Sequence, residues 1–148
     1  MLVWIHGGGY TIGSKDQYGP PAGLLARASN GIVFVSLNYR LGAFGFISGP
    51  TIQADGVANA GLLDQRLALQ WVQEHISKFG GDPQNVTVMG ESAGGGSILH
   101  HITVSFAFRS PLLLLLVAIS LYFHSRSPIS PPCSCRLQIE ISGIRRSQ

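Results

Sequence analysis

Two groups of residues in this chain could do chemistry together. The first is Gly90-Glu91-Ser92-Ala93-Gly94. Upstream of it, Val86-Thr87-Val88-Met89 reads as a buried strand, and downstream the chain can start a helix. Strand, Gly-X-Ser-X-Gly and helix, in that order, make a nucleophile elbow. Such a turn strains the serine backbone and lifts the hydroxyl clear of the strand. Gly90 and Gly94 are expected because a side chain at either place would collide across so tight a turn. The helix then aims its free N–H groups at negative charge developing on a bound substrate. The second group is His6-Gly7-Gly8-Gly9-Tyr10, which follows the apolar run Leu2-Val3-Trp4-Ile5. A glycine run after a strand lets the backbone turn bare N–H groups toward a ligand. The chemistry these groups point to is acyl transfer, with Ser92 attacking a carbonyl. The glycine loop and the Ala93 N–H would be donors to the oxyanion.

The intervening sequence supplies elements to position the two groups. Residues 22–29 read as a short helix, introduced by Pro20-Pro21 and stopped by Asn30-Gly31. Residues 32–37 form a continuous apolar run rich in β-branched side chains, as in a parallel strand covered on both faces. Residues 38–46 read as a glycine-punctuated loop in which Arg40 makes a structural ion pair. Residues 62–79 are predicted to be a helix, with Leu69, Val72, Ile76 and Phe79 on one face and Asp64 in the first turn. Gly80-Gly81 and Asp82-Pro83 end it. Residues 93 to about 103 form the helix after the serine. The alternation of strands and helices predicts an α/β fold with a parallel sheet, and places Ser92 at the carboxyl end of a strand.

A serine nucleophile needs a base within reach of its hydroxyl. His100 and His101 lie on the helix after the serine, about 12 Å along its axis, and read as surface or packing residues. His75 lies on another helix, and His6 belongs to the glycine loop.

The blocks Trp4-Ile5-His6-Gly7-Gly8-Gly9-Tyr10, Asn38-Tyr39-Arg40-Leu41-Gly42-Ala43-Phe44-Gly45-Phe46, Asn59-Ala60-Gly61-Leu62-Leu63-Asp64-Gln65 with Ala68-Leu69-Gln70-Trp71-Val72, Phe79-Gly80-Gly81-Asp82-Pro83 and Val86-Thr87-Val88-Met89-Gly90-Glu91-Ser92-Ala93-Gly94 carry a family resemblance. The chain resembles the type-B carboxylesterases, the cholinesterase-like branch of the α/β-hydrolases, over residues 2 to 103. The resemblance implies a partial α/β-hydrolase fold and hydrolysis of a small-molecule or lipid carboxylic ester through an acyl-enzyme on Ser92. It implies an oxyanion hole of the Gly8, Gly9 and Ala93 N–H groups, with Glu91 tuning the electrostatics. No metal and no cofactor are implied. Relatives carry the triad acid and histidine beyond the point where this sequence departs. As a truncated piece, the chain is therefore expected to be inactive and unstable. A non-catalytic cholinesterase-like adhesion module is the alternative, although such proteins typically lose the serine that is present here.

Residues 104–148 differ in kind from the rest. Residues 1–103 hold five Lys or Arg against six Asp or Glu, whereas the tail holds five Arg against Glu140 alone. The net charge of +3 thus comes from the tail and gives no reason to invoke nucleic acid. Cys133 and Cys135 have no second pair or histidine cluster to complete a zinc site. Residues 112–123 are strongly apolar but shorter than the roughly 20 residues that span a bilayer. Two readings of the tail compete. One is a small membrane-associated segment. The other is a translated intron: Val104-Ser105 can be encoded by GTGAGT, and a Leu-, Ser-, Pro- and Phe-rich run is what a pyrimidine-rich intron yields. On either reading the tail is expected to be unrelated to the family and disordered.

Overall fold

Residues 1–108, 118–122 and 136–140 are described by a computed structural model. Three short apolar segments make its central strands: β1 (Leu2–Ile5), β2 (Phe34–Leu37) and β3 (Thr87–Glu91). β1 lies between the other two and is parallel to both, with Val3 opposite Val35 on one side and Val88 on the other. Flanked on both edges, β1 has wholly buried side chains at Val3 and Ile5. This suits an apolar run without polar alternation. β4 (Ala118–Tyr122) and β5 (Arg136–Glu140) extend the sheet antiparallel, giving the order β2-β1-β3-β5-β4.

The helices are α1 (Ala22–Arg27), α2 (Gly42–Phe46), α3 (Pro50–Asp55), α4 (Ala60–His75) and α5 (Ala93–Phe108). Val72, Ile76 and Ile98 meet Val3, Ile5, Leu37 and Tyr39 in one core cluster. α4 differs from its sequence expectation at both ends. It begins at Ala60, behind Asn59 at φ 57°, so Asp64 stands beyond the first turn. At Ile76 it tightens into a 3-10 turn running to Phe79. Three residues per turn in place of 3.6 rotates Phe79 off the buried stripe, and its side chain is 62% exposed. Gly80, at φ 78°, then ends the turn.

Asp64 instead serves the loop at 38–46. Arg40 Nε donates to Asp64 Oδ2 at 2.8 Å and Nη2 to Oδ1 at 2.7 Å, while the Arg40 backbone N–H adds a bond to Oδ2 at 3.0 Å. The Arg40 hydrogen bonds hold the Asp64 carboxyl below its ordinary value of 3.8. A depressed carboxyl stabilises the fold above the unfolded value, and that contribution is lost as pH falls through the folded value. Stability to urea is therefore expected to drop below about pH 4, and Asp64→Asn should remove that part of the drop. Part of the loop is helical as well: Gly42–Phe46 forms α2.

Two tail segments expected to lack regular structure are strands. β5 pairs with β3 from Val88 opposite Ile139 to Glu91 opposite Arg136, and β4 pairs with β5. The physical reason is the edge of β3, whose N–H and C=O groups need partners once β1 covers only one side. Of the apolar run at 112–123, residues 118–122 lie in β4; its remainder, with Cys133, Cys135 and His124, lies outside the described residues. Among the described residues, no helix is long and apolar enough to cross a membrane, and no group of three His, Cys, Asp or Glu could hold a metal ion.

Candidate active site

β3 delivers its carboxyl end to Ser92, whose φ of 52° lies in the left-handed region, and α5 starts at the next residue. A non-glycine residue there is strained. Two close approaches hold it. A Cβ on Gly90 would come within 2.4 Å of the Gly94 carbonyl carbon, and one on Gly94 within 2.1 Å of the Ile5 carbonyl oxygen. The first turn of α5 thus sits directly on the end of β1. The Gly96 N–H donates to the Ser92 carbonyl at 3.0 Å, which orients the Ser92–Ala93 peptide and leaves its N–H on the opposite side.

The glycine loop lies against this turn. A Cβ on Gly7 would stand 2.6 Å from Glu91 Oε2 and 3.0 Å from Ser92 Cβ. Gly8 has φ 110°, and its carbonyl accepts from the Thr11 and Ile12 N–H groups, each at 3.1 Å. Among the described residues, the N–H groups of Gly8, Gly9 and Ala93 donate no hydrogen bond. His6 is fully buried and braces the loop from behind. Its Nδ1 donates to the Gly7 carbonyl at 2.8 Å, and its ring stacks on Tyr39 at 4.5 Å. Tyr39 Oη in turn donates to the His6 carbonyl at 2.9 Å. Burial pushes the Tyr39 phenol up to about 12, so it remains a donor across the neutral range.

Glu91 has a partner that the sequence did not reveal. Tyr18 Oη donates to Glu91 Oε2 at 2.6 Å across 73 positions of sequence, and the Tyr18 and Trp4 rings meet in a T-shaped pair with centroids 5.7 Å apart. No local pattern marks such a contact. The hydrogen bond to Glu91 holds the Tyr18 phenol above its ordinary value. Beside the loop, Tyr10, Thr11, Gly42, Ala43, Phe46 and Ile47 line an open groove of ≈ 400 Å³.

The histidines of α5 stand apart from Ser92. His100 is exposed. His101 Nε2 hydrogen-bonds Gln65 Oε1 at 2.9 Å on α4. Burial lowers the His101 imidazole from 6.5 to about 4, with the Arg66 charge and His100 adding to the shift. A lowered histidine leaves the unfolded chain binding more protons between those values. Stability contributed by neutral His101 is complete above pH 6.5 and is lost as pH falls toward 4. The loss is at most roughly 3 kcal/mol. Urea titrations at pH 7 and pH 4.5 should differ by less in His101→Gln than in the parent chain. Among the described residues, no histidine hydrogen-bonds the Ser92 hydroxyl.

The sequence pattern of the carboxylesterase family matches residues 1–110. The chain belongs to the carboxylesterase family. Its resemblance to carboxylesterases extends from sequence to fold. It is 51% identical over 122 residues to the carboxylesterase patB of Penicillium expansum, covering 78% of this chain and 22% of that protein. With Lipase 5 of Diutina rugosa it is 50% identical over 105 residues, covering 69% and 19%. The crystal structure of Aspergillus niger EstA superposes with a TM-score of 0.64 at 44% identity, over 68% of this chain and 19% of that one. A thermophilic PNB esterase gives 0.60 at 50% identity, over 66% and 20%. This carboxylesterase-family chain thus spans about a fifth of the length of the relatives it matches. The α/β fold read from the sequence is the fold of these esterases.

Proposed function

We propose that this chain carries the nucleophile and oxyanion hole of a serine carboxylic ester hydrolase. The observation that supports it best is Ser92 held at positive φ between β3 and α5, beside Gly8, Gly9 and Ala93 N–H groups that donate no hydrogen bond among the described residues. Ser92 Oγ attacks the ester carbonyl, and its proton passes to a base. The three N–H groups receive the oxyanion of the tetrahedral intermediate. Collapse expels the alcohol and leaves an acyl group on Ser92, which water then removes by the same steps in reverse order. Glu91, steadied by Tyr18, stands beside the serine and adds negative potential that favours a cationic base in the transition state. The substrate class is a small carboxylic ester or a lipid ester.

The base is a histidine oriented by a carboxylate, and the proposal places both outside the described residues. Residues 1–103 on this account are the family domain, and 104–148 are a separate tail read from retained intron. Sequencing transcripts across the codons for Thr103 and Val104 tests the division. A family-like segment after Thr103 supports it, and transcripts encoding only residues 104–148 refute it. Because no histidine among the described residues hydrogen-bonds Ser92, the 148-residue chain is expected to hydrolyse p-nitrophenyl butyrate no faster than its Ser92→Ala variant. Hydrolysis above that control would mean that the base lies within this chain.

A further inference from the structure

A directed chain of hydrogen bonds runs from α4 to the start of α5 behind the Ser92 turn. Ser97 Oγ donates to the Ala93 carbonyl at 2.9 Å. Its oxygen accepts from Gln65 Nε2 at 3.0 Å, and Gln65 Oε1 accepts from His101 Nε2 at 2.9 Å. Gln65 and Ser97 are both fully buried. The directions are forced. A carbonyl only accepts, so the Ser97 proton points at Ala93. Gln65 must then present its amide NH2 to Ser97 and its oxygen to His101. Every donor points toward the Ser92 turn.

We propose that Gln65 is a positioning residue for the oxyanion hole, acting through Ser97 on the backbone of Ala93. The Ala93 carbonyl and the Ala93 N–H lie on either side of one Cα. The Ser92–Ala93 peptide is already anchored at its oxygen by Gly96. Fixing the next peptide through Ser97 leaves the Ala93 residue little torsional freedom, so its N–H keeps one direction. Donors that are fixed before the reaction stabilise an oxyanion better than donors that must reorient. Gln65 is suited to the task because its planar amide gives to one neighbour and takes from the other. Leucine of similar size would leave Ser97 without its donor and His101 without its acceptor.

This inference rests on the proposed hydrolase reading, and its test separates the two. The assay uses the protein translated from the cell's own transcript, with p-nitrophenyl butyrate as the probe. Gln65→Leu is expected to lower kcat by roughly 10- to 100-fold with KM changed by less than about threefold. Ser97→Ala should act similarly, and Ser97→Thr, which keeps a hydroxyl, should recover most of the rate. The double variant Gln65→Leu/Ser97→Ala should be no slower than Gln65→Leu, because both break one chain. Additive losses, or an unchanged kcat in Gln65→Leu, would overturn the assignment. Amide hydrogen exchange at Gly96 in the 148-residue chain gives a readout that needs no activity. Gln65→Leu should speed it by about tenfold or more. If the parent protein has no esterase activity, the hydrolase reading fails. Unchanged Gly96 exchange would then overturn the positioning role separately.

Discussion

Gly94→Ala is expected to collapse the Ser92 turn and to destabilise the chain by about 3 kcal/mol or more. The added Cβ would sit 2.1 Å from the Ile5 carbonyl oxygen and 2.9 Å from that of His6. Neither obstacle is a side chain that can swing away. The Ile5 oxygen belongs to the carboxyl end of β1, whose Val3 and Ile5 are fully buried and which is held on both edges by β2 and β3. Relief requires α5 to lift off β1, and that movement would carry Ser92 and the Ala93 N–H with it. Urea unfolding followed by tryptophan fluorescence reads the loss directly. Gly23→Ala is the control, because a Cβ there meets nothing within 4 Å. An unchanged midpoint in Gly94→Ala would mean that the contact between α5 and β1 is looser than described.

Ser92→Ala is expected to lower ester hydrolysis by the complete protein by about 10⁴-fold or more. Alanine removes the attacking oxygen and leaves the backbone donors in place. Residual rate would come from water attacking a carbonyl polarised by Gly8, Gly9 and Ala93. Ester should still bind, so KM should change far less than kcat. The substitution also relieves no strain, since alanine at φ 52° is no easier than serine. Steady-state kinetics with p-nitrophenyl butyrate, beside a urea titration of the same variant, separates lost chemistry from lost fold.

Much of this arrangement was readable from residue order because glycine and serine positions encode geometry directly. Gly90 and Gly94 were expected to avoid collisions across the turn, and the distances found there are of that kind. β1 was equally plain, being four apolar residues followed by His6 and a run of glycines. Other parts were hidden for identifiable reasons. Tyr18 and Glu91 meet across 73 positions, and no local period reports a contact of that range. Gln65 lies on a helix where no local pattern marks a buried polar side chain, yet it is buried because Ser97 and His101 satisfy both ends of its amide. Phe79 followed the helical period, but the 3-10 turn at Ile76 broke the period just before it. The β5 segment Arg136-Leu137-Gln138-Ile139-Glu140 alternates apolar and polar residues strictly, a strand signal that the unusual composition of the tail obscured.

Mapping the site of a fluorophosphonate adduct tests the central claim most directly. The probe phosphonylates only an activated serine and leaves a tetrahedral, oxyanion-like group in the hole. The protein isolated from its own cells would be labelled, digested and sequenced by mass spectrometry. One adduct on Ser92 is the expected result, absent from Ser92→Ala. An adduct on another serine, or an unmodified Ser92 peptide from a preparation that hydrolyses esters, would contradict the assignment of Ser92 as nucleophile.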